Sequence, residues 1–340
     1  HVGSLYARTD GEPGTVREVM QTRAPVVRKA DYVLAARAVS RPILDAIRDA
    51  GVDSYAVVPL FAGTAVRGTI HLLMESDRRS FTPADAAFLQ EFARRLAPAI
   101  ANAELHERDR RIARSFQNAA LPSSLPNVPN FSFSAIYEAG KTEALVGGDW
   151  YDAFVLADGR IVVSIGDVAG SGLLAAVTMS SVRQAIRGAA HVHADSGVML
   201  TAANRALDDP EGRFVTAFVG VIDPGASSIA YQSAGHPPPM LRLPGGTVVE
   251  FERGGVPLGV NVEGVCRTNT ARLPAGSLLV LYTDGLVEST HDMLEGEQRM
   301  RTALAGDAVI DAANPAQMLH DLVLTDGSRD DVAILTIVAE

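Results

Sequence analysis

Residues 161–172 read Ile-Val-Val-Ser-Ile-Gly-Asp-Val-Ala-Gly-Ser-Gly. The first five are a short, almost wholly apolar, β-branched run closed by glycine, which reads as a strand buried in a core rather than as a helix. Asp167 follows directly, so its carboxylate sits at the lip of that strand and is held rigidly at one end of a sheet. The same arrangement recurs downstream, where Leu278-Leu279-Val280-Leu281-Tyr282 runs into Thr283-Asp284-Gly285.

Two more turns carry aspartate beside a strand: Gly147-Gly148-Asp149-Trp150-Tyr151-Asp152 and Arg329-Asp330-Asp331-Val332. Asp and Gly populate turns for reasons of backbone geometry, so any one of the four turns taken singly is structural more often than functional. Four together are a different matter. Converging carboxylates repel one another, and hard divalent cations such as Mg²⁺ and Mn²⁺ take oxygen ligands, so a pair of cations would stabilise such a set.

Around these turns the chain between residues 122 and 340 is mostly short β runs. Strands are predicted at residues 131–137, 151–156, 161–165, 214–222, 228–232, 247–251, 277–282 and 332–338, several joined by tight Asp-Gly or Pro-Gly turns that favour antiparallel hairpins. Only two strong helices interrupt them, at residues 173–190 and 197–207. The pattern is α+β, with two sheets packed face to face and helices outside.

Upstream, Thr82-Pro83-Ala84-Asp85 is a helix start, with a hydroxyl cap, proline at the first helical position and a carboxylate in the first turn. Apolar residues recur at Phe88, Phe92, Leu96 and Ile100, and Pro122 ends the helix, with Pro98 expected to kink it. Residues 106–114 are almost all charged, which suits either a solvated connector or a helix that pairs with its twin in a homodimer. Before it, residues 55–61 and 68–74 read as a hairpin, and residues 32–50 as a helix closed by Gly51. The predicted organisation is therefore an N-terminal domain over residues 1–81, a linker helix over 82–121 and a larger domain over 122–340.

Composition narrows the function classes. A chain of 340 residues exceeds the size at which one hydrophobic core stops growing, and 47% apolar with 21% charged residues is globular rather than disordered. The net charge of -10 argues against nucleic acid as a partner. Cys266 is the only cysteine, so an internal disulfide and thiolate metal clusters are excluded. No apolar stretch approaches the roughly 20 residues that span a bilayer, and a cytoplasmic location is expected.

Six stretches resemble one known family in order, spacing and wording: GGDWYDAF (147–154), GDVAGSG (166–172), AGHPPP (234–239), GVPLGV (255–260), YTDGLVE (282–288) and DDVAILTI (330–337). They are similar to the PPM phosphatases of the bacterial SpoIIE/RsbU type over about residues 121–339. The resemblance implies an α-β-β-α sandwich with a binuclear Mn²⁺ or Mg²⁺ site at one edge. It implies that Asp167 bridges both ions, that Val168 contributes its backbone carbonyl, and that Asp284 and Asp330 ligate one ion. Asp149 is an additional ligand or a carboxylate that orients water, while the doubled aspartates leave the roles of Asp331 and Asp152 open. A water shared between two such ions loses a proton near neutral pH and would attack phosphorus in line, without a covalent phosphoenzyme.

The chain departs from the eukaryotic members of the wider family at Ala169, where they place a histidine thought to protonate the leaving group. His236 is the nearest substitute, although a histidine ahead of three prolines is more often a turn residue. Their phosphate-binding arginine has no assignable counterpart.

The N-terminal part resembles the later half of a GAF sensor domain through Val57-Val58-Pro59-Leu60, the Gly68 hairpin and Phe81-Thr82-Pro83-Ala84-Asp85. A ligand sensor and a small dimerisation domain are equal readings of it. For the whole chain, the resemblance implies dephosphorylation of a STAS-fold anti-sigma factor antagonist. A catalytically weak signalling scaffold and a small-molecule phosphodiesterase are the alternatives.

Overall fold

The computed structural model describes residues 14–31, 41–76, 79–140, 147–207, 212–260, 267–288, 293–324, 327–328 and 330–340. It divides into two compact units, residues 1–108 and 109–340. Residues 32–40 of the predicted 32–50 helix, together with Arg329 and Cys266, lie outside the described residues.

The first unit holds helix α1 (Gly14–Thr22), strand β1 (Val26–Lys29), helix α2 (Arg41–Asp49), and strands β2 (Val52–Ala62) and β3 (Ala65–Glu75). The three strands form an antiparallel sheet in the order β1-β2-β3. The predicted hairpin is present and longer than the β-branched runs alone indicated. Gly51 follows α2 with a φ of 59°, the left-handed conformation that a residue with a Cβ adopts at a cost. Helix α3 (Pro83–Ala120) starts at the Thr82 cap and is continuous through Pro98. Thr82 Oγ1 accepts from the Asp85 N–H at 3.4 Å while the Asp85 carboxylate accepts from the Thr82 N–H at 2.7 Å, a reciprocal cap.

The second unit contains strands β4 (Phe131–Glu138), β5 (Trp150–Val155) and β6 (Ile161–Val168), helices α4 (Leu173–Val192) and α5 (Ser196–Ala206), and strands β7 (Val215–Asp223) and β8 (Ser228–Ala234). It continues through β9 (Met240–Arg242), β10 (Val248–Glu250), β11 (Asn269–Arg272), β12 (Leu278–Tyr282), helices α6 (Gly285–Glu288), α7 (Met293–Ala305) and α8 (Pro315–Val323), and β13 (Val332–Ala339). Two five-stranded antiparallel sheets result, ordered β10-β9-β12-β13-β4 and β11-β8-β7-β6-β5.

Alternation along the strands builds three core layers. On β6, Ile161, Val163 and Ile165 face the core between the sheets, and Val162 faces the layer under α4 and α5 with Met179, Val182 and Met199. On β12, Leu279 and Leu281 enter the inter-sheet core, while Leu278, Val280 and Tyr282 meet Met300, Leu304 and Leu319 of α7 and α8. Strands buried on both faces explain the near-continuous apolar runs in the sequence. The layers are helix, sheet, sheet, helix.

Three differences from the sequence reading stand out. Helices α6, α7 and α8 join the two predicted ones, so the helix content of this unit was underestimated. Strands β9 and β11 have three and four residues, too short for a periodic signal. Strand β5 begins one residue early, at a Trp150 with no exposed surface.

Candidate metal centre

Each of the four aspartate turns is fixed by the ends of strands. Asp167 lies in β6 and pairs across the sheet with Thr216 of β7. Asp284 follows β12, whose ladder to β13 extends one residue further because the Thr283 N–H donates to the Ala333 carbonyl at 3.0 Å and Thr283 Oγ1 accepts from the Ala333 N–H at 2.9 Å. Asp149 opens β5. Asp330 and Asp331 precede β13, the neighbour of β12.

The turns press against one another through glycine. A Cβ on Gly148 would stand 2.5 Å from the Val168 carbonyl oxygen, and one on Gly285 would collide with the Asp331 carbonyl. Those two positions exclude a side chain so that the backbones carrying Asp149 and Val168, and those carrying Asp284 and Asp331, can approach.

Electrostatically the carboxylates form one connected set. Burial raises the pKa of Asp149 well above the ordinary carboxylate range, and the charges of Asp167 and Asp331 raise it further. Burial, then the charge of Asp284, pushes Asp167 up to about 7. Burial, then Glu288 and Asp330, pushes Asp284 up to about 6. Asp149 is 2% exposed and its Oδ2 has no hydrogen-bond partner. Among the described residues no three acidic or histidine side chains are already drawn up as a closed cation cage. The donor set nonetheless fits hard divalent cations: oxygen ligands only, an orphaned buried carboxylate oxygen, and mutual repulsion that positive charge relieves.

The doubled aspartates have different surroundings. Asp331 is 8% exposed, accepts the Gly140 N–H at 2.9 Å and also bonds Tyr137 and the Gly148 N–H. Its carboxylate ties the residue 140 and residue 148 backbones to β13. Asp330 is exposed, accepts the Asp331 N–H at 2.8 Å, and acts on both Asp167 and Asp284 through its charge. Asp152 stands apart from this set. Buried at 1% exposure, it is bound by Arg183 and Arg187 of α4, each at 3.0 Å.

His236 does not have the freedom a proton donor needs. Its Nε2 lies 3.1 Å from the Tyr282 carbonyl, which can only accept, so Nε2 carries the proton. Nδ1 is then the acceptor for the Thr216 hydroxyl at 2.9 Å. Burial lowers its pKa to about 3, and the neutral ring has its one proton committed to a carbonyl. Gly148 and Thr283 were read only as members of the Gly-Gly-Asp and Tyr-Thr-Asp-Gly turns, with no role of their own. Thr216, inside a β7 run with no motif around it, was not singled out.

A cavity of about 450 Å³ borders Asp284, with Thr216, His236, Pro237, Arg253 and Tyr282 among its walls. Among the described residues of the four turns, only those of the Asp284 turn reach it.

The model of the Stage II sporulation protein E (SpoIIE) family matches residues 157–339, more than half of the chain. The chain belongs to the SpoIIE family. A GAF domain model matches residues 2–100, which extends the likeness seen in the later half of such a domain toward the N-terminal end. Phosphoserine phosphatase RsbU of Bacillus subtilis is 27% identical over 180 residues, covering 52% of this chain and 52% of RsbU. The RsbU and RsbW domains of Rv1364c from Mycobacterium tuberculosis superpose with a TM-score of 0.54 at 29% identity, covering 63% of each chain. The SiaA-PP2C domain of Pseudomonas aeruginosa superposes with a TM-score of 0.57 at 20% identity over 71% of this chain and 100% of that one, a likeness of fold alone. The chain spans about a quarter to a half of the length of the curated relatives it matches.

As a SpoIIE-family member the chain carries a PPM-type protein phosphatase domain, preceded by a GAF domain. Among the described residues no helix is long and apolar enough to cross a membrane.

Proposed function

We propose that this chain is a metal-dependent phosphoserine/phosphothreonine phosphatase whose substrate is a phosphorylated STAS-fold anti-sigma factor antagonist. The observation that carries the reading is the convergence of Asp149, Asp167, Asp284 and Asp330 from four separate strand ends into one set of interacting carboxylates. Asp167, Asp284 and Asp330, with the Val168 carbonyl, would hold Mn²⁺ or Mg²⁺, and Asp149 would ligate or orient water. The ions, when bound, supply a water acidified toward neutrality and offset charge on the phosphoryl oxygens.

The chain's own residues do the rest. Asp149, buried and short of one hydrogen-bond partner, is placed to accept a hydrogen bond from water and aim it. The β6 and β12 ends fix the backbones of Asp167 and Asp284 within hydrogen-bonded ladders, so little backbone reorganisation accompanies reaction. Ala169 supplies no proton, and the single proton of His236 is engaged by Tyr282, so neither acts as the acid for the leaving serine. The test is release of phosphate from a phosphorylated STAS protein with Mn²⁺, compared with Asp167→Asn. Equal rates for the two proteins would remove the role assigned to Asp167.

Ala169 also favours a second reading, a signalling scaffold that keeps the fold and turns over slowly or not at all. Calorimetric titration separates the two, because tight binding of two Mn²⁺ counts against a scaffold.

The SpoIIE-family domain is further proposed to act as a homodimer through α3. Phe88 and Phe92, four residues apart on one helix face, are 71% and 52% exposed. Sedimentation of the Phe88→Glu/Phe92→Glu protein as a monomer beside a dimeric parent is the expected result, and two identical profiles would discard the helix as the interface.

A further inference from the structure

The chain passes from one sheet to the other at a point hydrogen-bonded to the strands around the acidic set. Strand β8 ends at Ala234 in the sheet containing β6 and β7, and β9 begins at Met240 in the sheet containing β12 and β13. The Ala-Gly-His-Pro-Pro-Pro stretch between them is the crossover. Its geometry is tightly determined. Gly235 has a φ of 71° and pairs in parallel with Ala217, while the His236 N–H donates to Ser233 Oγ at 3.3 Å.

His236 is the residue of this crossover that reaches both sheets. On one side its Nδ1 accepts a hydrogen bond from the hydroxyl of Thr216, the cross-strand partner of Asp167. On the other its Nε2–H holds the carbonyl of Tyr282, two residues before Asp284. One imidazole therefore links β7, the neighbour of the strand that carries Asp167, to β12, from whose end Asp284 emerges. We propose that His236 is a positioning residue that sets the separation of Asp167 and Asp284, and with it the affinity for divalent cations.

The physical reason is rigidity. An imidazole with both nitrogens bonded is held in one orientation, and His236 is 4% exposed. Without it, the β7 and β12 ends lose a direct side-chain link near the site and could shift relative to each other. Groups that orient metal ligands from behind contribute about 10- to 100-fold to metal affinity when removed.

This inference rests on the metal-centre reading, and the experiment separates the two. Mn²⁺ is titrated calorimetrically into the full chain and into H236A, H236Q and T216V, with folding checked by near-ultraviolet circular dichroism in the absence of metal. The glutamine Nε2–H can replace the imidazole Nε2–H toward Tyr282, whereas alanine cannot. The expected result is about 10- to 100-fold weaker Mn²⁺ binding by H236A, recovery of most of that affinity by H236Q, and an intermediate loss in T216V, which keeps the fold and deletes only the hydroxyl. Unchanged Mn²⁺ affinity in H236A, or in T216V should H236A not fold, overturns the positioning role, as does H236Q binding no better than H236A. Absence of Mn²⁺ binding by the unmodified chain overturns the metal centre itself.

Discussion

The carboxylate of Asp152 lies 3.0 Å from the Arg183 guanidinium, and both side chains are almost completely buried. Asp152 is three residues from Asp149, yet its charge is neutralised by Arg183 and by Arg187, which also stacks at 4.2 Å over the Phe154 ring. Strand β5, which begins next to Asp149, is thereby tied to α4, which begins just beyond the Asp167 turn.

Breaking that pair leaves two arginines facing an emptied pocket. Asp152→Ala is expected to lower stability by about 3–5 kcal/mol, since an unpaired buried charge is left behind. Urea denaturation checks this, and a change below about 1 kcal/mol would show that water already screens the pair.

Asp167→Asn tests the cost of crowded carboxylates. The folded-state pKa of Asp167, about 7, lies above its unfolded value near 3.8, so between those pH values the folded protein binds more protons than the unfolded one. Its contribution to metal-free stability is therefore present at low pH and lost as pH rises toward 7. The asparagine variant, which cannot ionise, is expected to be more stable than the parent at pH 8 without metal, with the gap closing toward pH 5. Thermal melts at both pH values give the answer, and Mn²⁺ should raise the melting temperature of the parent far more than that of the variant.

Asp330 and Asp331 are predicted to separate into two phenotypes. Asp331→Ala removes a buried acceptor of the Gly140 N–H and should cost about 1–3 kcal/mol in stability. Asp330→Asn, at an exposed side chain, should leave the denaturation midpoint in place and weaken Mn²⁺ binding. The reverse assignment, with Asp330→Asn unfolding and Asp331→Ala merely losing metal, would exchange their roles.

Gly148→Ala places a methyl group 2.5 Å from the Val168 carbonyl oxygen. The backbones must part to accept it, at about 1–3 kcal/mol by the usual cost of overpacking. Weakened Mn²⁺ binding in a folded protein is the expected signature, read by titration. Binding equal to the parent would mean that the Val168 carbonyl does not need its present position.

The strands were legible wherever a run was buried on both faces. Residues 161–165 and 278–282 carry their own label, because a strand between two apolar layers has no polar side to blur the pattern. Helices α7 and α8 escaped notice, as did β9 and β11, whose three or four residues hold no full period. The four aspartates were legible as turn residues following or preceding strands. Which of them face one another was not, since Asp149 and Asp331 are far apart in the chain and their interaction depends on the sheet that holds β13 packing against the sheet that holds β5.

Residue order alone established two antiparallel sheets with helices outside, an acidic residue at the lip of each key strand, and membership of a recognisable motif series. Those follow from local propensity and alternation, which neighbouring residues determine. Folding in three dimensions settled the rest: it paired Asp152 with arginines, committed Asp331 to backbone N–H groups while leaving Asp330 exposed, and locked His236 between Thr216 and Tyr282. Each of these depends on partners separated by tens to hundreds of residues, and a side chain's charge, protonation and freedom are set by whatever packs against it.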